Sequence, residues 1–119
     1  MIRDPRRLTD YLAHICEAIE RIDQYTEELN EVAFLDSPLV QDAVIRNLEI
    51  IGEASNNIQK RFPSFAEENP QIPLALAYQM RNALAHGYFQ VDLEIVWNTV
   101  SAELPSLYQE IQALIENTQ

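Results

Sequence analysis

The stretch "RNALAHGY", residues 81–88, sets Arg81, Asn82, His86 and Tyr88 within eight positions, with Gly87 between the last two. The chain has only two histidines and two glycines, so their placement here invites a chemical reading. On a helix, Asn82 and His86 are four apart and stack on one face. Arg81 lies roughly 100° around from Asn82, with a side chain long enough to reach along the surface. Arginine offers fork-shaped donors to phosphate, asparagine a neutral hydrogen bond, and histidine a proton that moves near neutral pH. Metal-independent cleavage of a phosphodiester requires those parts. The same residues also suit a plain helix end, where Arg and His complement the macrodipole and cap free carbonyls. Gly87 fits the left-handed position that closes a helix. Spacing alone leaves both readings open.

The elements that must position this stretch are helical. Asp4-Pro5 reads as an N-cap followed by proline at the first helical position. Leu8, Leu12, Ile15, Ile19, Ile22 and Leu29 then recur at helical spacing to about Asn30. Ser37-Pro38 repeats the cap-and-proline signal. The second helix carries Leu39, Ala43, Val44, Leu48, Ile51, Ala54, Ser55 and Ile58 on one stripe. Residues 61–73, "RFPSFAEENPQIP", hold three prolines and form a connection that no continuous helix can cross. A third helix is expected from near Pro73 to His86. Asp92 then caps a last helix bearing Leu93, Val96, Trp97, Val100, Leu104, Leu107, Ile111 and Leu114, with Pro105 kinking or dividing it. The expected fold is all-α, an antiparallel bundle of four to five helices.

Composition agrees. A chain of 119 residues is one domain, 1–119, with a modest core. Two glycines in the whole chain are too few for a sheet protein built on tight hairpins. The single Cys16 forms no intrachain disulfide and no zinc-ligand cluster is visible, so a reduced, cytoplasmic setting with no metal or other cofactor is expected. No apolar run approaches the roughly 18 residues of a membrane span, and the charged N-terminus lacks the pattern of a signal peptide.

The net charge of −11 speaks against general nucleic-acid binding. Yet positive charge is unevenly placed: Arg3, Arg6 and Arg7 cluster at the start, Lys60 and Arg61 sit together, and nothing after Arg81 is basic. An acidic, solvated surface and a local basic groove both fit this pattern.

Arg81, four intervening residues, His86, one further residue and Tyr88 resemble the signature motif of the HEPN superfamily, in its HepT-like toxin branch. The flanking "MRNALAHGYFQVDLEIVWNTVSAELPSL" and the second-helix block "RNLEIIGEASNNI", residues 46–58, are similar to that branch as well. The likeness runs from about residue 8 to residue 115. One departure is Tyr78, where many relatives carry tryptophan; it touches a packing position.

The resemblance implies a HEPN-like bundle, a two-fold dimer whose motifs face one another, and a metal-independent ribonuclease toxin acting on RNA such as tRNA or mRNA. Its implied partner is a nucleotidyltransferase antitoxin of the MNT type. Arg81 and His86 would be the catalytic pair, with Asn82 beside them. Tyr88 would be the residue that the antitoxin adenylylates to silence the enzyme. Glu49 and Glu53 share a face of the second helix with Arg46 nearby, which reads most simply as a solvated ion-pair row. The resemblance makes Glu53 a candidate for orienting Arg81. His14 has no partner pattern and reads as structural or surface, and Trp97 as core or dimer interface. Two noncatalytic readings stand beside the enzyme: a helical module that docks on a nucleotidyltransferase, and a plain interaction bundle.

Overall fold

The computed structural model describes residues 5–74 and 92–118, with side chains placed for 8–74 and 92–116. Every regular element among them is helical. Helix α1 spans Pro5–Thr26, α2 Glu31–Leu35, α3 Pro38–Arg61 and α4 Pro63–Glu68. Beyond residue 91, α5 (Leu93–Asn98) runs through a π-helical turn (Thr99–Glu103) into α6 (Leu104–Thr118). The third helix anticipated from Pro73 to His86 lies outside the described residues apart from its start.

The apolar stripe of α1 is the centre of the core. Leu12, Ile15, Ile19 and Ile22 are buried, together with Cys16 and Ala18. They pack against Val44, Leu48, Ile51, Ala54 and Ile58 of α3 and against Leu104, Leu107 and Ile111 of α6. Each fully buried isoleucine contributes roughly 1.5–3 kcal/mol of transfer free energy. Ring contacts fix the directions. Tyr11, early in α1, lies 6.5 Å from Phe62, just past the end of α3, so the two helices run antiparallel. Tyr108 of α6 bonds Glu20 of α1, and Gln112 reaches Cys16, so α1 and α6 are antiparallel too.

Three details differ from what spacing suggests. The first helix stops at Thr26 rather than about Asn30, because Asn30 serves as the N-cap of α2 and accepts from the Ala33 N–H at 2.9 Å. Glu27 and Glu28 would also oppose the negative end of a longer α1. Leu39, expected on the buried stripe, is 82% exposed: it stands in the first turn of α3, before the register that meets α1 begins. Ser37 occupies the N-cap position of α3, but its side chain makes no capping bond.

The short helices α2 and α4 carry too few residues for a periodic signal. Tertiary contacts hold α2: Phe34 is fully buried and its ring lies 5.2 Å from that of Trp97. Gln41 Nε2 also donates to the carbonyls of Phe34 and Leu35. Trp97 is therefore half-buried core packing, and His14 is at the surface.

Pro105 neither breaks nor divides the last helix. The turn before it widens to π register, with the Leu104 N–H bonding the Thr99 carbonyl. Widening relieves the clash between a proline ring and the carbonyl four residues back. Thr99 and Ser101 hydroxyls donate to the carbonyls of Ile95 and Trp97 where the register changes. No described helix is long and apolar enough to cross a membrane.

Ile15 is fully buried at the centre of the α1 stripe. Ile15→Ala should lower unfolding free energy by about 2–5 kcal/mol, read as a shifted urea midpoint with an unchanged slope. Leu39→Ala should shift it by no more than about 0.5 kcal/mol.

Candidate functional site

Of the residues singled out by spacing and resemblance, Arg81, Asn82, His86 and Tyr88 lie outside the described residues. Glu53 is within them. The frame that carries the motif is defined at both of its edges. On the entry side, Leu74 is buried, its N–H bonds the Ile72 carbonyl at 2.8 Å, and the Ile72 N–H bonds the Asn69 carbonyl at 3.1 Å. Two buried apolar side chains in three residues thus tie the chain to the core just before residue 75. On the exit side, the Asp92 carboxylate accepts from the N–H groups of Glu94 and Ile95 at 3.0 and 3.2 Å. That is the N-cap expected from the sequence, and it fixes where α5 begins.

Glu53 stands exposed on α3, on the side of the helix away from buried Ile51, Ala54 and Ile58. Asn57 sits one turn on and donates its Nδ2 to the Glu53 carbonyl at 3.0 Å. Lys60 and Arg61 follow in the last turn, both exposed. One polar face of α3 therefore presents a carboxylate, a carboxamide and two cations over its last two and a half turns.

Sequence reasoning missed two features. Asn47, within the quoted second-helix block, is buried; its Nδ2 donates to the Ala43 carbonyl at 2.8 Å while its Oδ1 has no partner among the described residues. Nothing in the described residues accounts for that oxygen. The second feature is a cleft of about 290 Å³ between α1 and the start of α6, floored by Ile19, Ile22, Val100 and Leu104 and edged by Glu20, Asp23, Tyr108 and Gln109. The Tyr108 hydroxyl donates to Glu20 Oε2 at 2.6 Å, and this bond, more than burial, raises the phenol's pKa. Burial, followed by the nearby Glu20 charge, pushes the Cys16 thiol up to about 11, partly offset by the hydrogen bond from Gln112. Among the described residues the cleft is lined by two carboxylates and no cation, so this lining repels phosphate.

A family model described as "Ribonuclease HepT-like" matches residues 15–114. The chain belongs to the HepT-like ribonuclease family. It is 45% identical over 105 residues to a Thermococcus cleftensis protein named "Probable ribonuclease HepT", covering 88% of this chain and 93% of that one. It is 42% identical over 106 residues to a Methanocaldococcus jannaschii protein named "Gamma-glutamylcyclotransferase and putative RNase", covering 89% of this chain but 46% of that longer protein. A Caldanaerobacter subterraneus protein named "Putative RNase" is 32% identical over 106 residues, with 89% and 92% covered. No solved structure matches. The matched HepT-like span takes in most of α1, all of α3 and α5, and the stretch with Arg81, His86 and Tyr88.

Cys16 in this HepT-like chain titrates above its ordinary value in the folded state. The thiol's proton therefore stabilises the fold below pH 9, and that contribution is lost as pH rises from 9 toward about 11. Urea unfolding of the wild type should weaken across this window, and Cys16→Ala should weaken less steeply.

Proposed function

We propose that this HepT-like ribonuclease is the toxin of a toxin–antitoxin pair and cleaves RNA without a metal, through Arg81 and His86. The observation that carries the reading is the Arg81, four residues, His86, one residue, Tyr88 spacing inside a family match that spans residues 15–114. The RNA's own 2′-hydroxyl is the nucleophile. His86 takes its proton, and the leaving oxygen is protonated by water or by His86 of a second copy. Arg81 stabilises the charge that builds on the phosphorane, and Asn82 adds a neutral hydrogen bond beside it. The P–O5′ bond breaks as the P–O2′ bond forms, so the product ends in a 2′,3′-cyclic phosphate.

A two-fold dimer would set two His86 copies in one cleft, each protomer being a single domain over residues 1–119. Glu53 would orient Arg81 from the exposed face of α3. Tyr88 is the proposed control point: an adenylate attached by a nucleotidyltransferase antitoxin of the MNT type adds charge and bulk that repel RNA phosphates.

Separate expression without a partner tests the reading. The wild type should arrest growth and cut RNA, whereas His86→Ala should be harmless and slower by about 10²–10⁴-fold in vitro. Harmless wild-type expression with no RNA cleavage would favour a noncatalytic docking module instead. Tyr88→Phe should retain cleavage and escape silencing when the antitoxin is supplied with ATP; continued adenylylation of that variant would refute the switch.

A further inference from the structure

The antiparallel packing of α1 on α3 sorts the few cations of an acidic chain. Tyr11 beside Phe62 sets the start of α1 against the end of α3. Arg6 and Arg7, in the first turn of α1, therefore share one end of the bundle with Lys60 and Arg61, in the last turn of α3. Half of the chain's eight Lys and Arg residues are gathered there. The opposite end is built from the last turn of α1, α2 and the first turns of α3. Asp23, Glu27, Glu28, Glu31, Asp36 and Asp42 are all exposed on it, and no basic residue occurs between Arg21 and Arg46. A polyanion is repelled from that end and finds its counter-charges at the other.

Lys60 and Arg61 are also free to act. Both are exposed, and neither forms an ion pair among the described residues. Lys60 lies seven residues from Glu53, two turns or about 10 Å along the same face of α3. Carboxylates are present at this end too (Asp10, Glu67, Glu68 and Glu116), so the field is not uniformly positive and the paired cations must act locally. Both residues also complement the carbonyl end of α3, a stabilising role that gives no hold on RNA.

We propose that the exposed Lys60 and Arg61 at this end of the bundle bind backbone phosphates of the RNA and so position the strand. The inference rests on the ribonuclease reading and adds to it positioning residues outside the motif. It accounts for how a chain of net charge −11 holds a polyanion.

The test uses a 2′-O-methyl RNA oligonucleotide, which lacks the attacking hydroxyl, in anisotropy titrations between about 50 and 200 mM KCl. Each phosphate contact to a single strand adds about 0.7 to the slope of log K against log salt. Lys60→Gln with Arg61→Gln should lower that slope by about 1.4 and raise KM for cleavable RNA with kcat nearly unchanged. Arg21→Gln with Arg46→Gln should leave the slope unchanged. A lowered melting temperature with an unaltered slope and KM would reduce Lys60 and Arg61 to helix caps and overturn the inference while leaving the ribonuclease reading intact. A wild type that binds no RNA would overturn both.

Discussion

Burial of the α1 stripe between α3 and α6 is the constraint on which the rest of the structure depends. Ile15, Ile19 and Ile22 meet α3 on one side and α6 on the other, so α1 sets the direction of both. Each later feature follows from that choice. The Glu53–Asn57–Lys60 face of α3 points away from the core because the opposite face is taken by Ile51, Ala54 and Ile58. The end of α3 and the start of α1 meet, which places scarce positive charge together. The acidic residues of the α1–α2–α3 corner are left at the far end.

Two polar devices complete the frame. Asp92 caps α5 with two backbone bonds and fixes where that helix begins. The Tyr108–Glu20 bond clamps α6 to α1 at the edge of the cleft. Neither is chemistry for RNA; both hold the elements that bear on it. The π turn before Pro105 serves the same end, since it lets a single arm from Leu93 to Thr118 stay helical along the whole core.

Much of this fold was legible in the sequence because its long helices are strictly periodic. Most stripe positions named from spacing are buried, Leu8, Leu29, Ala43, Val100 and Leu114 are half-buried, and Leu39 is the clear exception. Leu39 fails because periodicity identifies a face but not where the neighbouring helix ends. Spacing alone extends α1 to about Asn30, whereas Asn30 caps α2, a helix too short to announce itself and held by Phe34 against Trp97. The cleft network was not legible at all: Glu20 and Tyr108 are 88 residues apart and look like ordinary helix positions. The candidate site shows the reverse balance. Arg81, His86 and Tyr88 stand out by type and spacing, and the family match agrees with the kind of chemistry they suggest. That Lys60 and Arg61 share an end of the bundle with the start of α1 emerges only once α1 and α3 are seen to be antiparallel.

In the proposed reaction the motif cuts RNA through the substrate's own 2′-hydroxyl, with protein side chains supplying the proton transfers. The direct measurement is the chemistry of the cut ends, from a 5′-labelled RNA incubated with the purified protein in excess EDTA and analysed by mass spectrometry. Cleavage should be undiminished, with a 2′,3′-cyclic phosphate on one fragment and a 5′-hydroxyl on the other. Cleavage abolished by EDTA, or fragments carrying 3′-hydroxyl and 5′-phosphate ends, would contradict this reaction.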